Sequence, residues 1–266
     1  MSDILDIHRG DLPLIIAFPH GGSDLAGLEF ASPWAARLDA DWWIAEVHAF
    51  ARAMGATMIA TRISRSVIDC NRDPSGASLY PGQATTGLVP PTTCAGDPLC
   101  AAPCPEEIAR RRSAYFEPYH HALAGEIARL RAVHGRVVLY DAHSIRSRIP
   151  RLFEGELPQF NIGTNGGASC AAELEAGVAQ IAAASGYSHV LNGRFKGGWT
   201  TRHYGRPEHG VHAIQMELAM RGYLAEPEEP DETNWPAPID TARSAALAPT
   251  LHAILAHCLA FAKGQP

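Results

Sequence analysis

Residues 137–144, with the sequence VVLYDAHS, combine the features around which the rest of the chain is organised. Four apolar, strand-forming residues lead directly into a polar turn that carries Asp141 and His143. In open α/β sheets, reactive side chains collect where parallel strands end. The stretch therefore predicts a buried strand with His143 at a candidate site, although a single histidine could equally cap a turn or satisfy a buried backbone group.

Two further stretches repeat this pattern. Residues 14–19 (LIIAFP) form a second buried-strand run that leads into His20 and two glycines, where the backbone could approach a ligand closely. Residues 211–218 (VHAIQMEL) form a third run, which delivers Glu217. The simplest chemistry for two imidazoles and a carboxylate at three strand ends is a zinc ion held by His and carboxylate ligands, with a separate Glu as general base.

Length and composition restrict the class of protein. The 266 residues can bury a large core, and 46% of them are hydrophobic. A formal net charge of −6 argues against binding to nucleic acid, which requires a basic surface. No apolar run approaches the length of a membrane span, and the N-terminus lacks the order of a signal peptide. We therefore expect a cytoplasmic protein without membrane association, either a monomer or a small homo-oligomer.

The order of the predicted elements indicates the fold class. Strands are predicted at residues 14–19, 57–63, 66–70, 137–140, 160–163, 189–192 and 211–218. Helices are predicted at residues 32–54, 105–134 (kinked at Pro118), 171–184 and 241–262. Because no repeat or linker separates these elements, we predict a single domain over residues 1–266. Its fold class is α/β, with three α/β/α layers around a mixed, mostly parallel sheet.

Residues 72–104 form a long irregular segment with six prolines and four glycines. Such segments in compact domains are usually lids, binding loops or interface arms, although a surface excursion without a role is the alternative. We predict that this segment forms a wall or lid of a pocket. Its three cysteines, Cys94, Cys100 and Cys104, could bind a metal, but the absence of a Cys-x-x-Cys motif favours free thiols.

Five short motifs together resemble the bacterial N-formylglutamate amidohydrolases, also called N-formylglutamate deformylases. They are PHGG at 19–22, DADW at 39–42, YPGQ at 80–83, DAHSIRSR at 141–148 and NGRFKGG at 192–198. The matches run from about residue 12 to residue 224, and their number, order and spacing make coincidence improbable. The resemblance implies a zinc-dependent amidase with the fold of the carboxypeptidase-like, phosphorylase/hydrolase-like group. Such an enzyme would produce formate and L-glutamate in one route of histidine degradation.

The resemblance also implies a set of metal ligands. The first ligand motif of the wider group, His-x-x-Glu, is incomplete, because Ser23 stands where the carboxylate is expected after His20. The DADW motif points instead to Asp41 as the third ligand beside the two histidines, with Asp24 and Asp39 as alternatives. Asp41 could otherwise cap a helix that begins at Trp42.

Glu217 resembles the catalytic glutamate of carboxypeptidase-like enzymes. Its task would be to take a proton from the metal-activated water and pass it to the departing amine. The alternative is an exposed carboxylate paired with Arg221. We expect Asp141 to orient a histidine ligand rather than to bind the metal itself.

A substrate with two carboxylates requires several fixed cations, and arginine suits planar carboxylates better than lysine does. The Asn71-Arg72 pair resembles the pair with which carboxypeptidase-like enzymes hold a substrate carboxylate. The candidate substrate-binding residues are Arg65, Asn71, Arg72, Arg146, Arg148, Arg194 and Arg202, although some of the arginines are expected to be surface charges. Gly197, Gly198, His203 and Tyr204 could supply an oxyanion donor, without a basis for choosing one.

Three other functions are consistent with parts of the sequence. A deacylase for N-succinyl- or N-acetyl-glutamate or aspartate would use the same residues and differ only in the acyl pocket. A serine hydrolase is disfavoured, because no Gly-x-Ser-x-Gly motif occurs. A non-catalytic dicarboxylate-binding protein would use the arginines without a metal, but it would not require His20, His143 and Glu217.

Overall fold

The strand that contains His143 lies at the centre of a seven-stranded sheet. The structure, a computed structural model, describes residues 4–265. The strands are β1 (Leu5–His8), β2 (Leu14–Phe18), β3 (Thr57–Thr61), β4 (Val137–Ile145), β5 (Phe160–Gly163), β6 (His189–Leu191) and β7 (Val211–Ala219). Their spatial order is β1-β3-β2-β4-β7-β5-β6. Only β1/β3 and β7/β5 pair antiparallel, which confirms the predicted mixed, mostly parallel sheet.

Helices cover both faces of this sheet, and the predicted three-layer α/β/α class is confirmed. They are α1 (Ala35–Leu38), α2 (Ile44–Val47), α3 (Pro105–Arg111), α4 (Glu117–His134), α5 (Ala172–Ala184), α6 (Trp199–Tyr204) and α7 (Thr241–Ala262). Successive strand residues point to opposite faces. Ile15 and Leu139 accordingly share a core cluster with Leu123 of α4, whereas Tyr140 shares the other cluster with Leu251 of α7.

The central strands β2, β4 and β7 are buried along their whole length. Strands covered by helices on both faces must be apolar at nearly every position, which explains their near-continuous hydrophobic runs. The β4/β7 register places Asp141 opposite Gln215 and His143 opposite Glu217. Because alternate residues share a face, these four polar side chains lie together at the C-terminal edge of the sheet.

Two strand predictions are wrong. Strand β4 continues to Ile145, so Asp141 and His143 stand within the strand rather than in a turn after Tyr140. The pairing with β7 extends through all of these positions and accounts for the longer strand. Residues 66–70 form no strand, because the backbone turns back on itself there: the Val67 amide donates to the Ser64 carbonyl at 2.9 Å. The short edge strand β1, which is mostly exposed, was not predicted.

The predicted helix over residues 32–54 is also wrong, because the chain breaks between α1 and α2. Trp43 has φ +64°, a left-handed conformation that is rare for a bulky residue and ends a helix. Its indole donates to the Ala237 carbonyl at 2.9 Å, and the Trp42 carbonyl accepts from the Tyr223 hydroxyl at 2.9 Å. These contacts fix the break, which turns Asp41 towards β4: its Oδ2 accepts from the Ser144 amide at 3.1 Å.

The predicted helices at 105–134, 171–184 and 241–262 are observed, the first with a π-helical turn (Arg112–Phe116) directly before α4. Contrary to the expectation from the sequence, α7 is long and apolar enough to cross a membrane by length and composition. Leu247, Leu251, Ile254 and Leu255 of this helix are fully buried in the core cluster that also contains Leu174 of α5. The helix therefore contributes one layer of the fold.

Gly22 lies against the backbone of a neighbouring segment. Its position after His20 had suggested close approach to a ligand instead. A Cβ atom at Gly22 would lie 2.3 Å from the carbonyl carbon of Arg62. We predict that Gly22→Ala lowers the free energy of unfolding by about 2 kcal/mol, which corresponds to a fall in Tm of about 4–8 °C. Gly87→Ala is the control, because a Cβ there meets nothing within 4 Å. Equal melting temperatures for the two variants would contradict the close approach.

Candidate active site

Three side chains from separate segments converge at the C-terminal edge of the sheet. His20 follows β2, Asp41 lies at the break between α1 and α2, and His143 belongs to β4. The two Nδ1 atoms of the histidines are 3.1 Å apart. Asp41 Oδ2 lies 3.2 Å from the Nδ1 of His143 and 3.8 Å from that of His20. All three side chains are buried.

This His-Asp-His group could hold a metal ion. Tetrahedral zinc with ordinary bond lengths separates its ligand atoms by about 3.3–3.5 Å, close to the distances found between these three atoms. Two imidazole nitrogens 3.1 Å apart have room for only one proton between them. The second oxygen of Asp41, Oδ1, is buried without a hydrogen-bond partner. The donor set therefore fits a divalent cation.

The alternatives to Asp41 lie elsewhere. Asp24 accepts a hydrogen bond from the Ala26 amide through Oδ1. Asp39 accepts from the Cys94 amide and pairs with Arg146 at 3.3 Å. Neither carboxylate belongs to the His-Asp-His group. Asp41 is not a helix cap either, because α2 begins only at Ile44 and has no side-chain cap.

A second carboxylate faces the outer ring nitrogen of each histidine. Asp69 Oδ1 lies 2.6 Å from Nε2 of His20, and Asp141 Oδ1 lies 3.2 Å from Nε2 of His143. Carboxylates in this position fix the ring orientation and direct the other nitrogen to a metal. The sequence did not lead us to predict Asp69 as a site residue, because the surrounding apolar residues suggested a strand. Its position two residues before the Asn71-Arg72 pair was the available signal.

The electrostatics of the group follow from its burial and its charges. Burial, together with Arg65, lowers the pKa of His20 to about 4 despite Asp69. Burial also opposes protonation of His143, but Asp141 and Asp41 outweigh it and raise the pKa well above its usual value. Burial opposes ionisation of Asp69, yet Arg72, His20 and Arg65 hold its pKa well below the ordinary range.

Glu217 stands beside His143 on the neighbouring strand. Its carboxyl group is buried, and the Gln215 amide donates to Oε2 at 3.4 Å. Burial raises its pKa to about 8, with His143 opposing this shift and Asp41 adding to it. A strongly perturbed carboxyl group in a cleft is a candidate general base. Arg221 is not its partner and instead bonds Ser147 Oγ at 3.0 Å and pairs with Glu156 at 3.4 Å.

A cavity opens onto His20, His143 and Glu217, and the predicted arginines divide into two sets around it. Arg65, Arg72 and Arg194 line the cavity. The other three lie outside its lining: Arg146 pairs with Asp39, Arg148 pairs with Glu156 at the surface, and Arg202 donates to the carbonyls of Gly197 and Leu79.

Asn71 lines the cavity and lies next to His143. Its Nδ2 lies 2.9 Å from Nε2 of His143, and its Oδ1 accepts from the Thr200 amide at 2.8 Å. The amide thereby connects the N-terminal end of α6 to the His-Asp-His group. Of the four candidate oxyanion donors, only Gly198 lines the cavity, and its amide is already bonded to Gln215 Oε1 at 2.7 Å.

The irregular segment 72–104 supplies one wall of the cavity through Arg72, Tyr80, Thr85, Thr86 and Cys94. The Tyr80 hydroxyl donates to the Gly197 carbonyl at 3.0 Å and joins this wall to the loop before α6. The position of the segment agrees with the predicted pocket wall.

We predict that Asp41→Asn weakens zinc binding at least about 100-fold, because it removes the only carboxylate of the His-Asp-His group. Competition with a chromogenic chelator would measure the affinity. Asp39→Asn is the matched control two residues away and should change the affinity less than about 3-fold. An equal loss in both variants would contradict the assignment of Asp41.

We predict that Glu217→Gln stabilises the metal-free protein in a pH-dependent way. The pKa of Glu217 is about 8 in the folded chain against 4.5 for an ordinary glutamate, so the unfolded chain releases this proton first. The group therefore reduces stability as the pH rises from 4.5 to about 8. Thermal unfolding should show Tm raised by about 10 °C at pH 8 relative to the wild type, but little change near pH 4.5. Glu228→Gln, at an exposed carboxylate, should show no such pH dependence.

Comparisons with known proteins agree on one family. The family model for N-formylglutamate amidohydrolase matches residues 12–224. The chain is 48% identical over 235 residues to the N-formylglutamate deformylase of Pseudomonas aeruginosa (85% of this chain, 87% of the relative). It is 47% identical over 235 residues to that of Pseudomonas putida (86% and 88%).

The crystal structure of N-formylglutamate amidohydrolase from Ralstonia eutropha superimposes with a TM-score of 0.78 at 22% identity (99% and 98% covered), which supports the fold. The resemblance read from the sequence motifs is confirmed, and the chain belongs to the N-formylglutamate amidohydrolase family.

Proposed function

We propose that this protein is an N-formylglutamate deformylase, a hydrolase that converts N-formyl-L-glutamate and water to formate and L-glutamate. The observation that carries the proposal is the position of Glu217 beside the buried group of His20, Asp41 and His143, in a cavity lined by arginines. Two relatives that share nearly half of the residues carry the name of this activity.

We propose zinc as the metal, held by His20 and His143 through Nδ1 and by Asp41. Histidine nitrogens and one carboxylate are a common ligand set of catalytic zinc sites. When bound, the metal would supply Lewis acidity, which polarises a carbonyl group and makes water more acidic. Asp69 and Asp141 would hold the two imidazoles in the required orientation, because each faces an outer ring nitrogen.

Glu217 would perform the proton transfers of the reaction. It would accept a proton from the attacking water and deliver it to the glutamate nitrogen as the amide C–N bond breaks. Its position beside His143, on the lining of the cavity, suits both roles, because a single carboxyl group there could accept the proton and return it. The Gln215 amide, at 3.4 Å, would keep the carboxylate on the cavity side of β7.

The positive charge of the cavity would select the substrate. N-formyl-L-glutamate carries two carboxylates, and Arg65, Arg72 and Arg194 provide three cations along the cavity wall. Arg65 Nη1 lies 3.8 Å from Asp41 Oδ1, so this guanidinium could also stabilise negative charge that develops on the formyl oxygen. We propose that the reaction takes place in the cytoplasm as the last step of a histidine-degradation route.

The test is formate release from N-formyl-L-glutamate by the purified protein, before and after chelation and after zinc is added back. We expect activity to be lost on chelation and restored by zinc, and Glu217→Gln to lower kcat at least about 1000-fold. Glu228→Gln, at an exposed carboxylate, is the matched control and should retain activity. Thermal unfolding would verify that both variants are folded.

Two other outcomes would each point to a different function, and a third would contradict the mechanism. Cleavage of N-acetyl- or N-succinyl-glutamate in place of the formyl compound would identify a deacylase with the same mechanism. Tight glutamate binding that is unaffected by chelation, without turnover, would indicate a dicarboxylate-binding protein. Full activity after complete removal of metal would contradict the metal-dependent mechanism.

A further inference from the structure

Arg194 differs from the other two arginines of the cavity in its partners. Arg65 pairs with Asp69 at 2.9 Å, and Arg72 lies 3.6 Å from the same carboxylate. Among residues 4–265, Arg194 has no acidic partner at ion-pair distance. Its Nε donates to the Leu152 carbonyl at 2.8 Å and its Nη2 to the Ala84 carbonyl, which leaves Nη1 without a hydrogen bond to the described chain.

The surroundings of Arg194 hold its guanidinium in place and make its charged form less favourable than in water. Its guanidinium lies 5.5 Å from the Tyr80 ring centroid and 5.4 Å from that of Phe195. Desolvation lowers its pKa, although an arginine stays protonated at physiological pH. Arg194 is half-buried, and no acidic side chain among residues 4–265 lies at ion-pair distance from it, so an anionic ligand would gain by binding to it. The rigid setting also reduces the entropy lost on binding.

The position of Arg194 distinguishes between the two carboxylates of the proposed substrate. The α-carboxylate lies next to the scissile amide, so its cation must be close to the His-Asp-His group. Arg72 is close to this group, because it lies 3.6 Å from Asp69, which in turn contacts His20. The carbon of the side-chain carboxylate lies three bonds from Cα, two more than the carbon of the α-carboxylate. Arg194 donates its hydrogen bonds to the carbonyls of Leu152 and Ala84, which lie in loops that do not belong to the His-Asp-His group.

The cavity wall near Arg194 is apolar where the aliphatic part of such a substrate would pass. Ile145, Leu152 and Phe195 line the cavity and belong to one hydrophobic cluster. Two methylene groups next to this wall, followed by a carboxylate at a guanidinium, would match the side chain of glutamate.

We propose that Arg194 is the specificity-determining residue for this reaction and binds the side-chain carboxylate of the substrate, with Nη1 as the available donor. The inference rests on the proposed function and extends it, because it separates recognition of the acidic side chain from the chemistry at the amide. Arg194 would thus decide that the enzyme acts on an acidic N-formyl amino acid.

The test compares kcat/KM for N-formyl-L-glutamate and for its neutral analogue N-formyl-L-glutamine. We expect the wild type to prefer the acid about 100-fold or more. Arg194→Gln should lower kcat/KM for N-formyl-L-glutamate about 100-fold, mainly through KM, and change that for N-formyl-L-glutamine less than about 3-fold. Arg194→Lys, which keeps the charge but loses the planar fork, should retain part of the preference for the acid.

Arg202→Gln is the matched control. Arg202 also donates to two backbone carbonyls, one of them in segment 72–104, and lies 5.0 Å from the Tyr80 ring centroid, but it does not line the cavity. Any effect of Arg202→Gln should be equal for the two substrates, because it would act through the loops.

Two results would overturn the role of Arg194. The first is an equal loss for both substrates in Arg194→Gln, as expected for a residue that only anchors loops. The second is a wild-type enzyme that cleaves both substrates equally well. A wild type that releases formate from neither substrate would instead overturn the proposed function, and the role of Arg194 with it. Thermal unfolding of each variant verifies that it is folded. If Arg194→Gln does not fold, Arg194→Lys takes its place in the comparison.

Discussion

The parallel pairing of β4 with β7 is the interaction on which the site depends. Nine residue pairs join the two strands, and both strands are buried along their whole length. A slip of one residue would turn every side chain of a strand to the opposite face and bring core residues to the wrong layer. The register is therefore fixed, and with it the position of His143 directly opposite Glu217. These two residues are thus held by regular backbone rather than by loops.

Burial of so many charges in one place is possible because nearly every charge has a partner. Asp69 is the clearest case: it contacts His20, Arg65 and Arg72 and accepts a hydrogen bond from the Asn71 amide at 2.8 Å. A buried charge without such partners would cost several kcal/mol, as a rough guide. Oδ1 of Asp41 accepts no hydrogen bond and has only Arg65 at 3.8 Å, so a bound cation would complete its compensation.

The irregular segment 72–104 has little secondary structure and is held in place by arginines. The guanidinium groups of Arg72, Arg194 and Arg202 donate to the carbonyls of Thr86, Ala84 and Leu79, respectively. Carbonyl groups that have no partner in a helix or sheet require such donors when they are shielded from water. The clustering of arginines near the motifs thus has two physical causes. Some of them provide charge to the cavity, and others hold its wall.

Local patterns in the sequence predicted the three central strands and three of the candidate site residues. Runs of apolar residues identified β2, β4 and β7, because a strand buried on both faces must be apolar at nearly every position. Polar residues that interrupt or follow such runs pointed to His20, His143 and Glu217, and the motifs around them pointed to the family. These signals are local, since they arise from the periodicity of a single segment.

The positions of the other candidate site residues depend on contacts between distant parts of the chain. The left-handed Trp43, held by Ala237 far along the chain, turns Asp41 to the histidines, whereas the local pattern predicted an unbroken helix. Asp69 meets His20 across 49 positions, and His20 meets His143 across 123. Which arginines face the cavity depends on the paths of two loops. Contacts between distant segments leave no periodic trace in sequence, because each is set by the packing of the whole chain.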